Sequence, residues 1–495
     1  MFESLLGGIE TVFQPINILI LFLAVFIGFL GGALPGISGT MLVILLLPIT
    51  YSFDATTAFL MLTGIYASTV FSGMISAILF RTPGAPEAVA TVFDGYPMTQ
   101  KGEGGRALGI AILSSGVGGI TGTIILIALT PLLASVALAF SSPEFFGLAL
   151  LGLTVVASLS SGQLSKGLIG VGFGLLIATV GIDPLSGTQR FTFDIQNFSS
   201  GIELIPVLIG LFAVSEVLKK SRESTLQKQK PTQSKVKIFE RNVIKKIYKT
   251  MARSTAIGTF IGILPGVGAT TASMLSYSET VRWSKDKKKF GKGAPEGIAA
   301  PESANNAAAM GALVPLLALG IPGSATTAVI LGAFIMHGLQ PGPSLLNTQS
   351  DLVYAIFIGL LIVNASIILV SKPFIKLFMK IMHVPYFILG PVILMFCVIG
   401  TFAVRNSVFD IWVMLFFGFL GFFLERFKFP IAPIVLGVVL GPIAESELRR
   451  SLQISGGDWF IFLERPISAV LIVISILVLT APILKKRWKV LVSKL

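Results

Sequence analysis

Apolar runs long enough to cross a bilayer, about 18 residues or more, recur from one end of this 495-residue chain to the other. In hydrocarbon every backbone N–H and C=O must find its partner inside the protein, so a chain built this way spans as helices or as a closed barrel. Runs of this length and continuity read as membrane helices. Residues are 54% hydrophobic and 12% charged. The fold class is therefore an all-α polytopic membrane protein. The longest polar segment, Lys219 to Lys249, is too short and too charged to bury a core of its own.

Several function classes fall away at once. The net charge of +13 is carried by short loops between apolar runs, where Lys and Arg report the cytoplasmic face of a membrane protein, so no nucleic-acid partner is expected. Cys397 is the one cysteine, and His337 and His383 are the two histidines, which leaves no disulfide, no zinc cluster and no expected cofactor. No acid, base and nucleophile set appears, so the chain does not read as an enzyme. No Walker loop is present, and energy has to come from an ion gradient or a partner. No Lys or Arg precedes Arg81, so the first apolar run lacks the positive flank of a signal peptide.

Two matched motifs interrupt the runs. Ala33-Leu34-Pro35-Gly36-Ile37-Ser38-Gly39-Thr40 is repeated as Ile263-Leu264-Pro265-Gly266-Val267-Gly268-Ala269-Thr270. Three further landmarks recur in order: Thr82-Pro83-Gly84 with Ile321-Pro322-Gly323, Ser142-Pro143 with Val384-Pro385, and Ile182-Asp183-Pro184 with Lys428-Phe429-Pro430. The offsets are 230, 239, 242 and 246 residues, the slow drift of a duplication with loop insertions.

Loop charge tests the orientation of the two copies. The Gly95–Arg106 loop carries Lys101 and Arg106 while its counterpart, Gly338–Ser350, carries none. Arg282–Lys292 carries six basic residues against none in Tyr51–Ala55, and Lys372, Lys376 and Lys380 have no counterparts in Pro131–Ser142. Basic content swaps sides, as inverted-topology repeats require. The expected organisation is a first membrane repeat at 1–218, a basic cytoplasmic linker at 219–249 and a second membrane repeat at 250–495. Ile16 to Thr50, and the segment ending at the basic loop Arg282–Lys292, are expected as re-entrant hairpins with Pro-Gly at their tips. Full spans are expected at 56–80, 107–130, 143–160, 166–182, 202–218, 294–320, 351–371, 385–404, 409–425, 431–443 and 466–484, giving about 11 or 12 membrane segments in all. The N-terminus then lies outside and the C-terminus in the cytoplasm. Half-helices are expected at Pro86–Phe93 and Ala325–Ile335.

A helix that starts inside the membrane exposes unpaired N–H groups and the positive end of its dipole, a site for an anion that needs no buried cation. The substrate-binding candidates are therefore Pro35, Gly36, Ser38, Gly39 and Thr40; Arg81, Pro83 and Gly84; Pro265, Gly266 and Thr270; and Pro322, Gly323, Ser324 and Thr326. A single Pro-Gly is more often a kink or a packing face. Four in repeat-related positions favour a ligand site. Arg81 is either a functional charge at depth or an interfacial residue reaching to the headgroups. For cation coupling the candidates are Glu87 and the trio Glu302, Asn305 and Asn306, whose spacing places them on one helix face. The amides serve equally well as interhelical hydrogen-bonding groups.

The blocks from Thr82 to Met98, Gly32 to Thr40, Ala299 to Ala309 and Leu319 to Thr327 resemble the large membrane subunit of the tripartite tricarboxylate transporters, over essentially the whole chain. The resemblance implies a bacterial inner-membrane secondary transporter that imports di- or tricarboxylate-type organic anions on a Na+ or H+ gradient. It also implies two partners, a small membrane subunit of about four helices and a periplasmic solute-binding protein. Homo-oligomerisation stays open. Elevator-like alternating access is the expected mechanism, with rocking of the two halves as its rival. An anion channel or membrane receptor built on the same polar breaks is the alternative function.

Overall fold

The computed structural model describes residues 2–34, 37–159, 164–183, 185–222, 236, 239–381 and 386–492. Pro35, Gly36, Pro184, His383, Val384 and Pro385 lie outside the described residues, as does most of the middle of the 219–249 linker.

The first half runs α1 (Phe2–Val12), α2 (Pro15–Ala33), α3 (Gly39–Thr50), α4 (Ala55–Phe80), a 3-10 turn at Pro86–Ala88, α5 (Val89–Gln100), α6 (Gly104–Ala137), α7 (Ser142–Leu159) and α8 (Leu164–Ala178). A short hairpin follows, β1 (Gly181–Ile182) pairing antiparallel with β2 (Gln189–Arg190). Next come α9 (Gln196–Ser199), α10 (Leu204–Leu208), a π-helical stretch Ile209–Val214 and α11 (Ser215–Arg222). The second half runs α12 (Arg241–Ile263), α13 (Gly268–Trp283), α14 (Pro295–Gly311), α15 (Leu313–Leu319), α16 (Ala325–Met336), α17 (Pro343–Thr348), α18 (Ser350–Ile381), α19 (Tyr386–Arg405), α20 (Val408–Arg426), α21 (Ile431–Ile454), α22 (Ile461–Glu464) and α23 (Pro466–Val492).

Local chemistry sets many of these ends. Proline starts α2, α14 and α17, where its missing N–H is no loss. Asp54 caps α4 by accepting the Thr57 N–H at 3.1 Å. Gly320 closes α15 in the left-handed conformation, φ 72°.

Among the described residues seven helices are long and apolar enough to cross a membrane: Pro15–Ala33, Ala55–Phe80, Gly104–Ala137, Ser350–Ile375, Ile388–Arg405, Val408–Arg426 and Ile431–Ile454. Five more are apolar but shorter, among them Gly39–Thr50 and Ala325–Met336. Several expected limits move. The 294–320 span is two helices, α14 and α15, meeting at Ala312. The short 431–443 span is part of one helix reaching Ile454, carried past Pro442. The 166–182 span stops at Ala178 and gives way to β1. The half-helix after Pro86 continues to Gln100 and takes up part of the Gly95–Arg106 loop. Residues 241–249 of the linker already belong to α12.

Glycine contacts bind the central helices. A Cβ at Gly28 would meet Ile65, one at Gly32 the carbonyl of Thr69, one at Gly258 Ala304 and one at Gly262 the carbonyl of Ala308. Gly28 and Gly258 stand 230 apart, as do Gly32 and Gly262, while Ile65 with Ala304, and Thr69 with Ala308, stand 239 apart. The small-xxx-small face of α2 against α4 thus recurs, residue for residue, in α12 against α14.

Around these pairs α6 packs on α14 and α18, and α18 packs on α4 and α1. A second group is formed by α7, α8, α21 and α23, with α20 laid along the π-helical stretch. Between the groups stand α3 and α16, which touch each other; α3 also meets α19, and α16 meets α21.

Candidate functional site

The broken segments converge. Thr40, on the first turn of α3, shares a 2.7 Å hydrogen bond with Thr326 on the first turn of α16. The Gly266 N–H donates to the Gly323 carbonyl at 2.9 Å. A Cβ at Gly84 would strike the Gly32 carbonyl and stand 2.9 Å from the Cα of Gly73; one at Gly323 would stand 2.8 Å from the Gly262 carbonyl and 2.8 Å from the Cα of Ala312. The two second breaks are therefore pressed against the ends of α2 and α12 in the same way. Gly266 adopts φ 75°, and an added Cβ would collide with Val156, so the backbone there requires glycine.

The helix starts are partly capped. Ser38 accepts the Met41 N–H at 3.2 Å. Ser324 and Thr327 form a capping box, each side chain taking the other's N–H. Helix geometry leaves the N–H groups of Gly39, Thr40, Ala325 and Thr326 without intrahelical acceptors. Those groups, and the two dipoles behind them, face one small region at the meeting of α3 and α16. Pro322, Gly323, Ser324 and Thr326 are buried there, and Ser38 and Thr40 are half-buried.

A polar seam continues from this point. Tyr66 on α4, 3% exposed, faces Ser324 and lies within electrostatic reach of Glu87. Asn305 donates to the Glu87 carbonyl at 3.4 Å, and Asn306 donates to Asn305 Oδ1 at 2.8 Å. Glu302 is fully buried in the middle of α14. Its Oε1 accepts the Thr91 hydroxyl and its Oε2 the Ser115 hydroxyl, the latter at 2.8 Å. Among the described residues no cationic side chain touches it.

Likeness to known proteins extends over nearly the full chain. The family model described as "Tripartite tricarboxylate transporter TctA family" matches residues 18–436. The chain belongs to the TctA family. Its relatives in Agrobacterium vitis include the "Uncharacterized 52.8 kDa protein in TAR-I ttuC' 3'region", 39% identical over 498 residues that span all of this chain and 99% of the relative. Another is the "Uncharacterized protein in TAR-II ttuC' 3'region", 42% identical over 240 residues, 48% of this chain and 99% of the relative. No solved structure matches the chain. As a TctA-family protein it is a multi-pass membrane transporter subunit, not an enzyme.

The TctA sequence motifs fall unevenly on the geometry. Gly39, Thr40, Gly84, Pro265, Gly266, Pro322, Gly323, Ser324 and Thr326 gather at or beside the breaks, with Ser38 as a cap and Pro83 half-buried next to Gly84. Glu87, Glu302, Asn305 and Asn306 form the seam. Thr270 is exposed, and its carbonyl accepts the Ser273 hydroxyl. Arg81 stands apart from the seam. It ends α4 in the left-handed conformation, is exposed, and sits 5.9 Å from the centre of the Tyr96 ring. Sequence reasoning missed Tyr66, Thr91 and Ser115. Tyr66 was within reach of it, because it stands 239 residues before Asn305, the same offset as the second breaks.

Proposed function

We propose that this TctA-family protein is the large translocating subunit of a binding-protein-dependent secondary transporter, importing di- or tricarboxylate-type organic anions on a Na+ or H+ gradient. The observation that carries the reading is the Thr40–Thr326 hydrogen bond, which sets two helix N-termini from opposite halves of the chain against each other. Paired positive helix ends suit a carboxylate better than any cation or sugar. Glu87, Glu302, Asn305 and Asn306 are the coupling group, since a buried carboxylate without a cationic partner is poised to take up a Na+ ion or a proton. The partners are a small membrane subunit and a periplasmic solute-binding protein, as the family implies.

The organisation we propose is two inverted repeats, 1–218 and 250–495, joined by the 219–249 linker, with the N-terminus periplasmic, the C-terminus cytoplasmic and α2–α3 and α12–α13 as re-entrant hairpins. Its support is the recurrence of the glycine contacts at offsets 230 and 239 together with the swap in loop charge. For α12 and α13 it has a further support: Arg253 donates to Thr280 at 3.0 Å and stacks on Trp283, 4.7 Å from the ring centre, so the two helices run back along each other.

The packing supports an elevator-like cycle. The body formed by α2, α4, α5, α6, α12, α14 and α18 draws on both halves, and so does the group of α7, α8, α20, α21 and α23. Rocking one half against the other would tear α6 from α14. Sliding one body past the other disturbs chiefly α3, α16 and the contact of Val156 on α7 with Gly266.

The deciding experiment is uptake of radiolabelled citrate, succinate and malate into vesicles containing the large subunit, the small subunit and the binding protein. Accumulation against the substrate gradient, abolished by collapsing the ion gradients, is expected. Flux that only runs downhill would make the protein a channel.

A further inference from the structure

We propose that Asp94 is a positioning residue that fastens α5 of the first half to α14 of the second, so that the two helices travel as one unit. The proposal rests on the transport reading above. It starts from an omission in the sequence: α14 has no side-chain cap of its own, because its N-cap residue is Ala294. The turn that leads into α14 is held instead by Asp94, 200 residues before Ala294. Its Oδ1 takes the Gly293 N–H at 2.8 Å and the Ala294 N–H at 2.7 Å, and its Oδ2 takes the Tyr277 hydroxyl of α13 at 3.0 Å. The side chain is fully buried.

Chemistry and position both favour a tie. A carboxylate at a helix N-terminus complements the dipole and makes charge-assisted bonds, the strong class of hydrogen bond. One turn earlier on the same face of α5, Thr91 donates to Glu302. The two helices are thus joined at both ends of a stretch of α14 that carries the coupling carboxylate. Gly297 makes the close approach feasible, since a Cβ there would run into the Asp94 carboxylate. Parting α5 from α14 would strand a buried carboxylate and the two N–H groups it holds, which is costly. A motion that keeps the tie carries Glu302 and Thr91 together.

The test replaces the polar tie by a covalent one. The Cβ built at Gly297 lies 3.1 Å from the Asp94 Cβ, so a shift of about half an ångström brings the pair into the roughly 3.5–4.5 Å range of a disulfide. In a Cys397→Ala parent, uptake of radiolabelled citrate, succinate and malate is compared among Asp94→Ala, Asp94→Asn and the pair Asp94→Cys with Gly297→Cys. Asp94→Ala is expected to lower uptake ~10-fold or more, whereas Asp94→Asn, whose amide oxygen can still accept both N–H groups, stays within about threefold. The cysteine pair is expected to transport when oxidised and to lose uptake when reduced. Three results would overturn the proposal: uptake blocked by oxidation and restored by reduction, inactivity in both forms, or Asp94→Asn as low as Asp94→Ala. A parent that accumulates none of the three acids sinks the transport reading instead. The tie is then read by hydrogen exchange, where faster exchange of the Gly293 and Ala294 amides in Asp94→Ala supports it and an unchanged rate refutes it.

Discussion

Thr40 and Thr326, 286 residues apart, are joined by one hydrogen bond of 2.7 Å between their hydroxyls. Each sits on the first turn of a short apolar helix, so the bond fixes how closely two positive helix ends approach. A solute that binds between them has to compete with that bond or replace it.

Valine at either position is nearly isosteric and cannot donate. Thr40→Val and Thr326→Val should each cost about 1 kcal/mol of stability. The double variant should cost little more than either alone, because both remove the same bond. Thermal unfolding of the purified protein in detergent measures this. A fully additive double variant would mean that the two hydroxyls have other partners.

Adding one methyl group at Gly84 or Gly323 forces a side chain onto backbone atoms of α2 or α12. Each alanine variant should lose about 1–3 kcal/mol and most uptake. Gly172 is the matched control: nothing lies within 4 Å of its added Cβ, so Gly172→Ala should be neutral or gain up to about 1 kcal/mol from helix propensity. Equal losses at all three positions would argue against a tightly built break region.

Glu302→Gln preserves shape and can still hydrogen-bond to Thr91 and Ser115, so the protein should insert and fold. If the carboxylate couples the ion gradient, uptake by this variant loses its dependence on external pH or on Na+. An unaltered dependence on both, measured across pH 5.5 to 8 as a rough working range, would reduce Glu302 to a structural group.

Outside the apolar helices, Asp183 beside the β-hairpin accepts from the Ser186 hydroxyl, from Arg449 at 2.7 Å and from the Leu185 N–H at 3.0 Å. The Ser186 bond first, and Arg449 next, hold its carboxyl well below the usual carboxylate range. A depressed folded-state pKa contributes stability that is present above the unfolded value, about 3.9, and disappears as pH falls through the folded value. Arg449→Ala should therefore be less stable than the parent at pH 7. The difference between them should narrow only in strong acid. Melting curves from neutral pH down to about pH 3 check this, and a gap that closes near neutrality would contradict the pairing.

Much of the site could be read from sequence because it is local. Pro-Gly breaks, small hydroxyl residues and the 230 and 239 offsets mark where helices must stop and restart, and α16 begins and ends within a residue of its expected half-helix. Helix ends away from proline were less legible. α21 runs on past Pro442 to Ile454 because a helix leaving the apolar region can continue through Glu445, Glu447 and Arg449, whose charges hid its length. The Asp94 cap was invisible for another reason: its acceptor and donors are brought together only by tertiary packing, and no spacing rule links residue 94 to residue 294. Arg81 drew attention as a charge beside a motif, yet its side chain is turned to Tyr96.

The glycine contacts between α12 and α14 bring backbone onto backbone, and those between α2 and α4 leave room for no more than small side chains such as Ser68, Thr69 and Ser72. With so little compressible in the gap, each pair behaves as a stiff strut rather than a spring. Wear of the sequence over evolutionary time should accordingly spare Gly28, Gly32, Gly258 and Gly262 more than the tips of α3 and α16, which a bond between two hydroxyls joins.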